Sequence, residues 1–286
     1  MTTLLKGKPV ADAMAEAIRK EVKQWQSKEI HPALTLIRAG EKPDDQAYER
    51  AIIKRCESVG IQVKSEVVAE DISQESFLHL LEQHNQDPSV HGILIFRPLP
   101  GHLKEEEVQY RIAPGKDVDG FHPVNAGKLL TGDPAAFAPC TPMAVMEILK
   151  HYEVDLSGKR AVVLGRSMVV GKPAALLLLA QNATVTIAHS RTRDLASVTG
   201  EADILVAAIG KSEFVKAEHI KSGAVVADVG INVAADGSLK GDVETAGAEE
   251  KAGAYTPVPG GVGSVTTAVL AKQVLKACAL QNTITK

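Results

Sequence analysis

Arg160-Ala161-Val162-Val163-Leu164-Gly165-Arg166-Ser167-Met168-Val169-Val170-Gly171-Lys172-Pro173 decides the fold. Its first five residues form a short apolar, β-branched run of the kind buried on both faces of a parallel sheet. A turn bounded by two glycines follows and opens a helix, whose first backbone N–H groups and dipole favour a phosphate. The turn departs from G-x-G-x-x-G, because Ser167 stands where the second glycine would be. Alone, it suits a plain strand-to-helix turn as well as a dinucleotide site. Downstream, segments 184–188, 204–208 and 224–229 repeat the short apolar pattern, so this half is expected to be a Rossmann-type lobe with a parallel sheet.

Working back toward the start, strands are predicted at 33–38, 62–68 and 91–96, with helices at 43–59 and 73–86 between them. Arg97-Pro98-Leu99-Pro100-Gly101 must be loop, since proline cannot donate to a ladder and restricts the residue before it. In Pro139-Cys140-Thr141-Pro142, Thr141 is expected to cap a helix with Pro142 in its first position, running to about His151 and linking the lobes. A last amphipathic stretch at about 265–279 lies beyond the final strand and is expected to pack back on the first lobe. The chain therefore reads as α/β with two lobes, an N-terminal α/β domain at 1–121 and a Rossmann-type domain at 122–286.

Composition narrows the function. The 286 residues are 45% hydrophobic, enough to bury two cores, while a net charge of -3 and 3% aromatic content leave neither the basic field nor the stacking surface for nucleic acid. Cys56, Cys140 and Cys278 are odd in number and lack C-x-x-C spacing, which argues against a disulfide framework or a structural zinc. The nine histidines show no H-x-x-x-H pair, so no metal is expected. Lys6, Lys8 and Asp12 interrupt the start before a signal-length apolar run forms, and no later run spans a bilayer, so a cytoplasmic protein with no membrane partner is expected.

The second predicted strand of the Rossmann lobe ends in His189-Ser190-Arg191-Thr192, where an NAD enzyme would present a carboxylate to the adenosine ribose. Here there is none. Ser190 and Arg191, with Arg166 on the neighbouring turn, suit a ribose 2′-phosphate, because guanidinium makes charge-assisted bonds to phosphate. NADP is favoured over NAD. Gly165, Arg166, Ser167, Ser190 and Arg191 are the expected cofactor contacts.

Read in order, these segments resemble the bifunctional methylenetetrahydrofolate dehydrogenase/cyclohydrolase (FolD) family. Lys116-Asp117-Val118-Asp119-Gly120-Phe121-His122-Pro123, Pro139-Cys140-Thr141-Pro142, Gly165-Arg166-Ser167 through Gly171-Lys172-Pro173 and His189-Ser190-Arg191-Thr192 carry the resemblance. So do Asp228-Val229-Gly230-Ile231-Asn232, Gly241-Asp242-Val243 and Thr256-Pro257-Val258-Pro259-Gly260-Gly261-Val262-Gly263. The resemblance implies a homodimer, folate in a cleft, NADP on the second lobe, and hydride transfer from 5,10-methylenetetrahydrofolate to NADP. It assigns Tyr48 and Asp119 to catalysis and substrate binding, Asp119 meeting the pterin's N–H groups. Asp119 could instead be a turn acid before Gly120. Pro259, Gly260 and Gly261 would border the substrate by backbone approach, and Ile231 would touch the cofactor. Cys140 has no identifiable base beside it and reads as a small buried residue.

Three positions depart from the family pattern. A serine three residues before the tyrosine is replaced by Asp45, a lysine four residues after it by Ile52, and a glutamine before the Pro-Leu-Pro turn by Phe96. On a helix Tyr48, Ile52 and Val59 share a face, so packing alone accounts for Ile52, and Lys54 points elsewhere. Asp45 is expected, with Asp44, to cap the helix at Pro43, or else to add a compensating negative charge at the cleft mouth. Hydride transfer needs positioning, whereas methenyl hydrolysis needs water activation that isoleucine and phenylalanine cannot supply. A dehydrogenase with weak or absent cyclohydrolase activity is therefore expected. A fully bifunctional enzyme and an inactive NADP- or folate-binding paralogue stay open.

Overall fold

The computed structural model describes residues 2–283. The chain divides into two compact units: Ala13–Cys140 joined by Thr267 onward, termed here the N-terminal unit, and the segment up to Asp12 with Thr141–Thr266, the C-terminal unit. The sequence division at 121/122 followed the motifs, while contacts draw the line at Cys140/Thr141. Residues after 121 stay with the first unit because Asn125 donates to Asp117 at 2.8 Å and the Cys140 amide to Asp119 at 2.8 Å.

In chain order the elements begin with β1 (Thr3–Leu4), α1 (Gly7–Gln26), β2 (Ala33–Ala39), α2 (Pro43–Ser58), β3 (Gln62–Val68), α3 (Gln74–Gln86) and β4 (Gly92–Ile95). Next come α4 (Glu105–Arg111), α5 (Pro123–Thr131), α6 (Cys140–His151), β5 (Arg160–Leu164), α7 (Gly171–Ala180), β6 (Thr184–Ala188) and α8 (Leu195–Gly200). The series closes with β7 (Ile204–Ala207), β8 (Val225–Asp228), β9 (Asn232–Val233), β10 (Leu239–Lys240), α9 (Thr245–Lys251), β11 (Ala254–Tyr255) and α10 (Thr266–Thr283).

The N-terminal unit is a three-stranded parallel sheet in the order β3-β2-β4. Strands β2 and β4 are buried almost throughout, and Phe77 and Leu81 from α3, Val108 from α4 and Ile112 just after it pack on Ile37, Ile93 and Ile95. Helix α2 buries Glu49, Ile52 and Cys56; of the face expected from sequence, Ile52 and Val59 are buried but Tyr48 is 38% exposed. Glu49 can lie inward because the buried Arg38 donates to it at 2.9 Å and Ser65 donates to its other oxygen. These partners offset the cost of burying the carboxylate, which apolar periodicity alone does not register. Asp44 and Asp45 sit in the first turn of α2, where the helix dipole favours them, but Lys42 is the N-cap and no side chain caps it.

The C-terminal unit carries a six-stranded parallel sheet in the order β1-β11-β8-β7-β5-β6, with β9 and β10 as a separate antiparallel pair. The chain runs from β5 outward to β6 and returns to β7 on the other side of β5. That reversal is a topological switch point, and open α/β sheets bind ligands beyond the carboxyl ends of the strands that flank such a point. Helix α6 starts at Cys140, so Thr141 lies inside it and is not its cap. The cap position is unnecessary because a distant carboxylate, Asp119, takes the first amide.

Candidate active site

In the N-terminal unit the candidate residues gather where β4 ends. The Ile93 amide donates to Lys116 at 2.7 Å and Ile93 bridges Asp117 in parallel, so segment 116–121 runs alongside β4. Lys116 anchors it: its Nζ donates to the carbonyls of His84 and Asp87 at 3.1 and 2.6 Å, the C-terminal end of α3. Burial pushes the Lys116 amine below its ordinary range.

Asp117 is the turn acid. It accepts from the amides of Phe121 at 2.9 Å and His122 at 2.8 Å and from Asn125 at 2.8 Å, and burial pushes its carboxyl up. Gly120 adopts φ +63, and a Cβ there would meet the Phe137 carbonyl at 2.5 Å, so only glycine fits. Asp119 is thereby free for another task. Its Oδ1 accepts the Cys140 amide, its Oδ2 lies 3.5 Å from Arg97, and its side chain remains 23% exposed.

Tyr48 presents its ring edge to Phe96, centroids 5.9 Å apart and planes at 69°. Ile52 is fully buried and Phe96 nearly so, whereas Lys54 is exposed on α2 and Asp45 half-buried in its first turn. The structure therefore brings Tyr48 to Phe96 and Asp119 to Arg97. Arg97 escaped the sequence reading because it sits in a proline-rich turn whose residues were read only as loop. Cys140 is buried, with Sγ against the Val118 carbonyl and Gln273, and burial raises its thiol well above the ordinary range. It has no nucleophile's setting.

In the C-terminal unit, Gly165 has φ +131 and a Cβ on it would strike the Ala208 carbonyl at 2.2 Å, while one on Gly171 would strike the Gly165 carbonyl at 2.2 Å. Both glycines permit the close turn. Ser167, in the second-glycine place, closes it by accepting from the amides of Val170 at 3.1 Å and Gly171 at 3.4 Å. Arg166 and Ser167 are exposed just beyond β5. Ser190 and Arg191 are exposed just beyond β6, whose last residue, Ala188, pairs with Leu164. The turn after β6 is set by the His189 amide donating to Thr192 Oγ1 at 2.9 Å and the Arg191 amide to His189 at 3.1 Å. Two guanidinium-bearing turns thus leave adjacent parallel strands, a fit for the adenosine end of NADP.

The Asp228 and Asp242 carboxylates organise the neighbouring loops. Asp228 accepts from Gly230, Asp242 and Val243, each at 2.9 Å. Asp242 accepts from the amides of Ile209, Gly210 and Lys211 at 2.7–2.9 Å and from Asn232. Burial raises Asp228 to about 6. These bonds hold Ile231, 63% exposed, beside Gly263, whose Cβ would come 3.3 Å from the Ile231 side chain. Pro259 and Gly260 are exposed and Gly261 buried, with Gly260 at φ +101. Among the described residues, no group of three or more His, Cys, Asp or Glu is arranged for a metal.

Residues 5–119 match the catalytic domain of tetrahydrofolate dehydrogenase/cyclohydrolase, and residues 139–282 match that family's NAD(P)-binding domain. The chain belongs to this family. It is 61% identical over 284 residues to the bifunctional protein FolD of Alkaliphilus oremlandii, covering 99% of this chain and all of that one. The methylenetetrahydrofolate dehydrogenase/cyclohydrolase of Campylobacter jejuni superposes with a TM-score of 0.95 at 40% identity, over 98% of this chain and 99% of the other. The Trypanosoma brucei enzyme, complexed with NADP and an inhibitor, superposes at 0.92 and 36%, over 98% of each chain. The tetrahydrofolate dehydrogenase/cyclohydrolase fold, an N-terminal α/β unit and a Rossmann-like unit with a parallel sheet, is therefore the fold of this chain. The protein is an oxidoreductase of one-carbon folate metabolism, a methylenetetrahydrofolate dehydrogenase by family. Among its described residues no helix is long and apolar enough to cross a membrane.

Proposed function

We propose that this protein oxidises 5,10-methylenetetrahydrofolate to the 5,10-methenyl form with NADP and has weak or no cyclohydrolase activity. The observation that carries the second clause is hydrocarbon where water chemistry would need polar groups. Ile52 is 0% exposed and Phe96 7% exposed, and the edge of Tyr48 lies on the Phe96 ring. Neither side chain can donate, accept or move a proton, and both exclude water from their surroundings. In the resembling family a lysine and a glutamine occupy those two places.

The dehydrogenase step makes different demands. Tyr48 and Asp119 in the N-terminal unit would bind and orient the folate, the carboxylate accepting from the pterin's N–H groups. Gly165, Arg166, Ser167, Ser190, Arg191 and the backbone of Ile231 would hold NADP, and the backbone of Pro259, Gly260 and Gly261 would face the substrate. NADP, when bound, supplies the hydride acceptor. The residues contribute position and charge, which suffice for hydride transfer once reactants are held at near-attack distance. A homodimer and a cytoplasmic location complete the proposal. The exposed Ile187 on edge strand β6 gives one apolar surface for self-association.

A second reading, a fully bifunctional enzyme, is favoured by the name of the Alkaliphilus relative. The test follows NADPH and the methenyl product together, from 5,10-methylenetetrahydrofolate and NADP, against uncatalysed hydrolysis. NADPH with methenyl decaying at the background rate is the expected result. Faster decay establishes the bifunctional enzyme, and absence of NADPH overturns the substrate assignment.

A further inference from the structure

Arg97 follows Phe96 just beyond β4, and its side chain is only 20% exposed. Its guanidinium carbon lies 4.3 Å from the centroid of the Phe121 ring, and Nη2 lies 3.5 Å from Asp119 Oδ2. Phe121 is itself fixed, because its amide donates to the buried Asp117 at 2.9 Å. The cation therefore rests on an anchored ring, a placement that favours a planar guanidinium over an ammonium.

The acceptor capacity of Asp119 gives this placement a meaning. A carboxylate offers about four lone-pair directions, two on each oxygen. The Cys140 amide takes one on Oδ1 and Arg97 faces one on Oδ2. One direction remains on each oxygen, on a side chain still partly open to solvent. Two parallel acceptors of that kind match the adjacent N–H donors along the amino-pyrimidinone edge of a pterin.

We propose that Arg97 is a positioning residue for folate: it holds the Asp119 carboxylate so that its two free acceptor directions face the pterin, and it keeps its own contact when the pterin binds. This rests on the assignment of Asp119 to the pterin made above. If the guanidinium instead had to leave Asp119 before folate could bind, removing it would tighten binding.

Steady-state kinetics of the full-length enzyme with 5,10-methylenetetrahydrofolate and NADP separates these outcomes. Arg97→Met is expected to raise the folate KM about tenfold, with kcat within about twofold and the NADP KM unchanged. Arg97→Gln, planar but uncharged, is the second variant should the Met substitution prevent folding, and is expected to raise the folate KM several-fold. Arg97→Lys should fall between wild type and Gln. An unchanged or lowered folate KM in Met or Gln, a fall in kcat alone, an equal rise in both KM values, or a Lys variant no better than Gln overturns the proposal. Wild-type protein that makes no NADPH would instead sink the folate assignment.

Discussion

Lys116-Asp117-Val118-Asp119-Gly120 gives each residue its own task. Lys116 takes the carbonyls at the end of α3, Asp117 closes the turn, Gly120 permits it, and Asp119 is left partly exposed at the start of α6. The sequence could show an acidic turn before a glycine, and the resemblance pointed to Asp119. Nothing in the spacing could show that Asp119 takes the amide of Cys140, 21 residues away, or that Arg97 would meet it. Such partners are chosen by the fold. The two arginine-bearing turns were more legible, since Arg166 and Arg191 follow strands whose order along a parallel sheet places their ends side by side. Replacing both arginines with alanine should raise the NADP KM roughly 100-fold more than that for NAD, the scale of losing charge-assisted bonds at one phosphate. Equal losses would remove the 2′-phosphate assignment.

Asp228 offers a second prediction at this scale, tied to pH. Its carboxyl is raised to about 6 in the folded protein from an ordinary 3.8, because burial outweighs the three amides it accepts. The native state therefore binds a proton before the unfolded chain does. Between about pH 6 and 4 stability should rise as pH falls, by an amount on the order of 2–3 kcal/mol from this group. The gap in urea midpoint between wild type and Asp228→Asn should change across that window in favour of wild type at the acid end. A gap constant with pH would show that Asp228 does not titrate there.

Among the elements, α2 shows what periodicity can and cannot reveal. Its bounds were legible, within a residue, from Pro43 at the start and the apolar spacing through Val59. Its inward face was not. Of the expected face Ile52 and Val59 are buried but Tyr48 is exposed, and the buried Glu49 gave no signal, because hydropathy cannot register a carboxylate neutralised by an arginine from β2. Ile52 belongs to both descriptions and is the residue on which the proposed loss of hydrolysis rests. Glu49→Ala should cost about 3 kcal/mol in urea unfolding, since it strands Arg38 in the interior. The double replacement Arg38→Met with Glu49→Leu should recover most of that. A single substitution as mild as an exposed alanine would show the pair to be dispensable. The short strands β1, β11, β9 and β10 and the helix α1 passed unnoticed, the strands because two residues carry no period.

For the whole molecule, the α/β class and the parallel Rossmann sheet were readable from alternating short apolar runs, while the assignment of segments to units depended on distant contacts. Helix α10 is the clearest case. Ala268, Val269, Leu270, Ala271, Val274 and Leu275 are buried, and Gln273 donates to the carbonyls of Val118 and Ala138 at 2.6 and 2.9 Å. Val274 also comes within 3.2 Å of where a Cβ on Gly92 would lie. A chain ending at Val265 should therefore leave strands β2 and β4 poorly protected in hydrogen exchange while β5 and β7 keep most of their protection. Equal loss in both sheets, or none, would contradict the division into units.

That the N-terminal unit needs the chain's last helix has a consequence for biosynthesis. Residues 13–140 leave the ribosome early, yet the helix that completes their core is made only after the whole intervening segment 141–266. At roughly 5–20 residues per second, that delay is on the order of 10 s. For that time the first-made half of the protein waits with a hydrophobic face uncovered, a nascent client for holding factors, while the later-made half already has its complete sheet in hand.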